Sequence, residues 1–430
     1  MRQLYRLPAL PRARHREPRK PGSPGQAPEA CSRGLGNAGV SETPWLEHQI
    51  LVIVGTGGVG KTTVSAALGL EAARRGKRVL VLTIDPARRL GDALGIELGH
   101  EPHSIPGAVL RAAGIEASGE FVAMMLDTKQ TFDDLVRRYS PDEEALERIL
   151  TNPIYQNLTD ALAGSREYSA MESLHQLHSA GEYDLIVLDT PPSSHALEFL
   201  DAPRRLTGFL QSDLLKLLFR PALALGRTGF RLFRFGSATV LRALEMVTGL
   251  GFLRAISDFL LAFESMLEGF TERARATEAL LRDPICGFVL VVGPDPEQAR
   301  RAEDFWKRLQ QERVHLLGLV MNRVRTWPGR GRTPELGTAE AKQLTEQLTK
   351  ELAKRDPGFE PEQAARELVA TLTQQALLAR RDAEVGARLE EAIGLSPEAV
   401  RKIPLFSEDV HALEGLRRMA SHLFEEARDV

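Results

Sequence analysis

Cysteine is nearly absent. Cys31 and Cys286 are the two in 430 residues, and they stand far apart. That excludes a disulfide framework and any cysteine-rich metal site, and a reducing, cytoplasmic setting is expected. Net charge is also small. At -3 the chain exerts no global pull on nucleic acid, and no nucleic-acid partner is expected. No run of about 18 uncharged apolar residues occurs, so no membrane span is expected. The first thirty residues, rich in Arg and Pro, lack the continuous apolar stretch of a secretory signal. Residues 1–46 therefore read as a disordered tail, composed of residues that cannot bury a core. No internal repeat is found.

What is present reads as a globular chain, with 43% hydrophobic residues. Apolar, β-branched runs of strand length recur at 50–54, 78–84, 183–189, 287–293 and 316–322. Near-continuous runs of this kind suit strands buried on both faces of a parallel sheet. Helical patterns alternate with them, as in "TTVSAALGLEAARRGK", which stops at Gly76, and "PEQARRAEDFWKRLQQE" at 296–312. Alternation of strand and helix predicts an α/β fold with a doubly wound, mostly parallel sheet. Residues 47–430 are expected to form this domain. Helical insertions at about 116–180 and 203–282 suggest an inserted helical lobe, and a further helical stretch is predicted at 334–400.

The chemistry concentrates after the first strand. "GTGGVGKTT" spans Gly55, Thr56, Gly57, Gly58, Val59, Gly60, Lys61, Thr62 and Thr63, and satisfies G-x-x-x-x-G-K-[ST]. Glycines let backbone N–H groups turn inward around a phosphate, and the following helix points its positive end to the same place. Lys61 can reach the β- and γ-phosphates of a bound nucleotide, and Thr62 can ligate Mg²⁺. The motif follows a strong apolar strand and opens a helix, which is the context it requires. This is a P-loop NTPase signature.

Two acids end later strands. Asp85 follows "VLVLTI" and Asp189 ends "LIVLD". Beside a P-loop, such carboxylates can hold Mg²⁺ or its waters and orient an attacking water. Asp85 also reads as a helix N-cap before Pro86, and the two roles can coexist. "DTPPSSHALEFL" (189–200) suits a switch loop that senses the terminal phosphate. His195 within it reads either as a base or as a helix-start histidine. Residues 214–263 are rich in Leu and Phe, and between Asp213 and Glu245 every charge is basic: Lys216, Arg220, Arg227, Arg231, Arg234 and Arg242. That suits either an apolar groove for a client helix or a membrane surface, or a packed helical core with a solvated Arg face.

These segments, with "TIDPARRLGDALG", "VMNRV" and "KIPLFSEDVHALEGLRRM", occur in the same order in the ArsA/Get family of deviant Walker A ATPases. The resemblance runs from about residue 49 to the C-terminus and is greatest to bacterial ArsA-related proteins. It implies a dimeric, Mg²⁺-dependent ATPase, cytoplasmic or peripheral at a membrane. By resemblance Asp85 and Lys61 are catalytic, with Asp85 positioning the attacking water. Asp189 is the second metal-side acid beside Thr62 and Asp85. Asn322 resembles the residue that recognises adenine, Pro404 and Leu405 the loop beside the base, and Asp295 an acid near the nucleoside. The implied function is a nucleotide-driven switch that controls binding of a partner. The chain departs from the family at three points. Thr56 replaces a signature lysine that reaches across the dimer, the metalloid-binding cysteines are absent, and so is the zinc-binding Cys-x-x-Cys. A weakly hydrolysing subunit of a heterodimer with a homologue, and an arsenite or anion efflux ATPase, therefore remain as alternatives.

Overall fold

A computed structural model describes residues 44–85, 87–140, 142–152, 155–156, 166–191, 269, 271–327, 333–334, 337–354, 360–410 and 412–424. The strands are β1 (Ile50–Gly55), β2 (Arg78–Thr83), β3 (His103–Ser104), β4 (Glu120–Met125), β5 (Leu185–Asp189), β6 (Cys286–Val292), β7 (His315–Val324) and β8 (Val400–Pro404). Between them lie α1 (Lys61–Arg74), α2 (Arg89–Leu94), α3 (Gly107–Ala112), α4 (Thr128–Tyr139), α5 (Glu143–Leu150) and α6 (Arg166–Ala180). The later helices are α7 (residues 271–282), α8 (Pro296–Glu312), α9 (Thr338–Leu352), α10 (Pro361–Ile393) and α11 (Leu413–Phe424).

The strands form one eight-stranded sheet in the order β3-β4-β2-β5-β1-β6-β7-β8. Every pairing is parallel except β3 with β4. Strand β1 lies between β5 and β6, so the loop after it opens at the middle of the carboxyl edge, where such sheets place ligands. The apolar runs are continuous because alternate residues feed two cores. Ile50, Val52, Leu80, Leu82, Ile186 and Leu188 face a core closed by α4, α5, α6, α8 and α10. Leu51, Ile53, Val79, Val81 and Val187 face a second core closed by α1, α2, α3 and α11. Helix α1 is rich in buried alanine and runs between the sheet and α11. It approaches the sheet closely at Gly69, where a Cβ would lie 2.4 Å from the Val81 side chain. Each aliphatic side chain buried this completely contributes about 1.5–3 kcal/mol relative to exposure.

Two expectations need correction. The tail does not extend to residue 46. Trp45 is fully buried, and its indole N–H donates to the Leu317 carbonyl at 3.2 Å. Gly318 makes room for it, since a Cβ there would lie 2.1 Å from the ring. Residues 116–180 are not wholly helical either. They begin with β4, which pairs with β2 over six residues, and α4, α5 and α6 pack onto the sheet's first core. The short run "EFVAMM" has one β-branched residue and three helix formers, Ala123, Met124 and Met125, so its composition did not mark a strand. The stretch 334–400 contains α9 and α10 and then enters β8 at Val400. Of the lobe expected at 203–282, residues 203–268 and 270 lie outside the described residues, as do the basic run in 214–263 and His195.

Candidate functional site

Strand β1 ends at Gly55, whose φ of 149° puts the backbone against β6. A Cβ there would sit 2.1 Å from the Val291 carbonyl oxygen. The loop then turns through Gly58 and Gly60, with φ of 76° and 90°, into α1. Lys61 is buried at 5% exposure, and its Nζ folds back to donate to the Gly55 and Thr56 carbonyls at 3.0 and 3.1 Å. Burial holds its amine below the usual lysine range, while Asp189 and Asp85 pull the other way. Thr56 brings no charge to this loop, and its buried Oγ1 has no hydrogen-bond partner. Thr63 follows Thr62 on the first turn of α1, partly exposed.

The acids meet beneath the loop. Register sets Thr83 of β2 beside Asp189 of β5. The Asp189 Oδ2 accepts from the Thr62 hydroxyl at 2.7 Å and from the Thr83 hydroxyl at 2.8 Å. Asp189 is fully buried, and its Oδ1 has no partner. Burial pushes this carboxyl up to about 6, with the two hydroxyl donors and Lys61 restraining the rise. Asp85 is nearly buried. Its Oδ1 accepts from the Ala87 N–H at 3.0 Å, and its Oδ2 lies 3.6 Å from Arg89 Nη1. Helix α2 starts only at Arg89 after Arg88, so Asp85 ties a turn and does not cap that helix. Thr190 anchors the start of the next segment through its hydroxyl, which donates to the Ile53 carbonyl at 2.7 Å.

Residues from β7 and β8 close the other side. Asn322 is buried, and its Nδ2 donates to the Val59 carbonyl at 2.8 Å across 263 residues of sequence. Its Oδ1 accepts from the Arg323 N–H at 3.0 Å. Gly60 has no Cβ because one would lie 2.3 Å from that Nδ2. Arg323 takes the left-handed region at φ 63° and donates to the Gly58 carbonyl at 3.2 Å. Pro404 pairs with Val324, and the half-exposed Leu405 donates its N–H to the Val324 carbonyl at 2.9 Å. Asp295, after β6, caps α8 by accepting from Glu297 and Gln298.

The structure thus gathers Gly55–Thr62, Asp85 and Asp189, with Asn322 against the loop and Pro404–Leu405 beside β7. Asp295 has a complete local role as a cap. Sequence reasoning missed Thr83, Thr190, Arg89 and Arg323. Thr83 carried one signal: a hydroxyl at the end of an apolar run, two residues before Asp85. Among the described residues no helix is long and apolar enough to cross a membrane.

The anion-transporting ATPase family model matches residues 48–328, well over half of the chain and all of the site except Pro404 and Leu405. A Halobacterium salinarum protein named as an arsenical pump-driving ATPase is 32% identical over 169 residues, 39% of this chain and 26% of that protein. The ATPase GET3 of Malassezia globosa is 31% identical over 149 residues, 35% of this chain and 40% of that protein. A Chlorobaculum tepidum protein, also named for driving an arsenical pump, is 33% identical over 159 residues, 37% of this chain and 36% of that protein. These matches span about a quarter to two-fifths of the relatives' lengths. With its fold, its loop and its two strand-end acids, this chain belongs to the anion-transporting ATPase family.

Proposed function

We propose that the chain binds and hydrolyses ATP with Mg²⁺ and uses nucleotide state to control a partner. The observation that carries this is the convergence of Lys61, Thr62, Asp85 and Asp189 at the carboxyl edge of β1, β2 and β5. The donor set fits a hard divalent cation. Asp189 offers a buried carboxylate oxygen with no protein partner, beside the Thr62 hydroxyl. Mg²⁺ is held in this way, by one or two carboxylates together with waters and substrate phosphates. Thr62 and Asp189 would hold it, with Asp85 near its waters, and when bound it neutralises charge on the phosphates.

The chain's own groups supply the rest. Lys61 leaves the Gly55 and Thr56 carbonyls to meet the phosphates, which supply the counter-charge its burial denies it. Asp85 orients a water whose oxygen bonds to the γ-phosphorus as the bridging bond to ADP breaks. The products are ADP and inorganic phosphate, and the water's proton leaves with the phosphate. Asn322, Pro404 and Leu405 would face the base, as Asn322 packs against the loop at Val59 and Leu405 joins β7 at Val324. Asp295 is a nucleoside-side candidate, already engaged as a cap. Asp189 and Thr190 begin the segment that would carry the change toward a partner, an apolar client helix or a membrane surface at 214–263.

Loss of turnover is expected in Lys61→Ala and Asp85→Asn, with ATP still bound by the latter; normal turnover in both would overturn the proposal. Thr56 favours a second reading, a slow subunit paired with a lysine-bearing homologue, because it leaves the loop without that cation. Faster turnover in Thr56→Lys supports that reading. Arsenite-stimulated turnover would favour efflux chemistry instead. A homodimer or heterodimer is part of the same proposal, and sedimentation with and without ATP tests it.

A further inference from the structure

We infer that Thr83 is a positioning residue for the hydrolytic step, its single hydroxyl binding the backbone of Asp85 to the carboxylate of Asp189. The inference rests on the ATPase reading above. Thr83 is 1% exposed and ends a strand whose preceding residues from Val79 to Leu82 are apolar and buried. Packing alone would be met there by valine. A hydroxyl in such a place must be satisfied, and this one is satisfied on both sides. A threonine hydroxyl has one proton to give. Here it goes to Asp189 Oδ2 at 2.8 Å. The oxygen's lone pair then faces the Asp85 N–H at 3.2 Å. The direction of the whole chain is therefore set: Asp85 N–H to Thr83, Thr83 O–H to Asp189, with Thr62 O–H arriving at the same Asp189 oxygen.

This arrangement has a mechanical consequence. The two acids leave different strands, and Asp85 sits two residues beyond the last residue of β2. The neighbouring backbone link, Ile84 N–H to the Asp189 carbonyl, is longer at 3.3 Å. The Asp85 carboxylate itself is tied forward, to Ala87 and Arg89, and not back to the sheet. Thr83 thus holds the Asp85 backbone to the strand that carries Asp189, and the two acids move as one unit. The effect falls on the rate of the chemical step, where misplacement of a water-orienting group is costly, and not on nucleotide affinity.

The test compares Thr83→Val, Thr83→Ser and the parent chain in two measurements. In steady-state ATP hydrolysis, Thr83→Val is expected to lower kcat about 10- to 100-fold with KM for ATP changed less than about twofold. Thr83→Ser, which keeps the hydroxyl, is expected to return kcat to within about threefold of the parent. In the nucleotide-free chain, amide hydrogen exchange in a peptide covering Asp85 is expected to quicken at least about tenfold in Thr83→Val and to match the parent in Thr83→Ser. Unchanged kcat in Thr83→Val, equal losses in Val and Ser, or unchanged exchange at Asp85 would each overturn the inference. If Thr83→Val does not fold, Thr83→Ala replaces it with the same expectations. A parent chain that neither binds nor turns over ATP would sink the ATPase reading, while the exchange measurement still judges the link.

Discussion

Gly60→Ala tests whether the loop and the distant Asn322 form one unit. Gly60 has φ 90° and ψ 28°, so any L side chain is strained there. That strain costs about 1–2 kcal/mol. The added Cβ would also lie 2.3 Å from Asn322 Nδ2, which donates to the Val59 carbonyl at 2.8 Å. Moving the carboxamide away leaves a buried carbonyl and a buried amide unpaired, at about 1–3 kcal/mol. The expected loss of stability is about 3 kcal/mol, read from urea midpoints, together with loss of binding of a fluorescent ATP analogue. The decisive comparison is a double-mutant cycle. Asn322→Ala alone removes two hydrogen bonds, one to the Val59 carbonyl and one from the Arg323 N–H, and costs about 1–3 kcal/mol. In that background the clash is gone and strain alone remains, so Gly60→Ala should cost about 1–2 kcal/mol less than in the parent. Strict additivity would show that the glycine is needed for its backbone conformation alone and that the Asn322 contact does not restrain the loop.

Three further outcomes follow from single features. Burial raises the Asp189 carboxyl from 3.8 to about 6, so the folded chain binds this proton more tightly than the unfolded chain. Its stabilisation is full below about pH 4 and is lost as pH rises through 6. In metal- and nucleotide-free protein, Asp189→Asn should therefore gain up to about 3 kcal/mol on the parent between pH 4 and pH 7.5; parallel pH profiles would refute this. The Glu172 and Arg273 side chains form a 3.0 Å ion pair, 1% and 10% exposed, with Arg273 3.8 Å over the Tyr139 ring. Glu172→Ala should cost about 3–5 kcal/mol by removing the carboxylate 3.0 Å from the buried guanidinium, and a loss under about 1 kcal/mol in chemical denaturation would show that this carboxylate is not the cation's main support. Trp45→Ala should cost about 3–5 kcal/mol; an unchanged melting temperature would place the domain boundary after residue 46, as composition alone suggested.

The elements that could be read in advance are those whose signals are local. Strands β1, β2, β5, β6 and β7 announce themselves because both faces are buried and the apolar runs are unbroken. Strand β8 reads "VRKIP" and lies at the sheet's edge with one fully buried side chain, Ile403, so little in its composition marks it. Strand β3 has two residues, both exposed, and no pattern can form over that length. The same division runs through the site. Gly55, Gly60, Lys61 and Thr62 are consecutive enough to form a motif, Asp189 ends a legible strand, and Asp85 follows another by two residues. Asn322 was reached by resemblance, yet its bond to Val59 spans 263 residues and no spacing rule could supply it.

Thr83 shows where the boundary falls. Its position two residues before Asp85 is visible in the sequence, and a threonine ending a strand invites no comment. Its meaning depends on β2 pairing with β5 in the one register that sets Thr83 beside Asp189. A slip of one residue would turn Leu82 or Ile84 toward the acid and leave a fully buried carboxylate without one of its two donors. Burial already disfavours the Asp189 charge, so the hydroxyls of Thr62 and Thr83 keep a charged carboxylate tolerable beneath the loop. The site residues are local in sequence, while the interactions that let them coexist belong to the sheet.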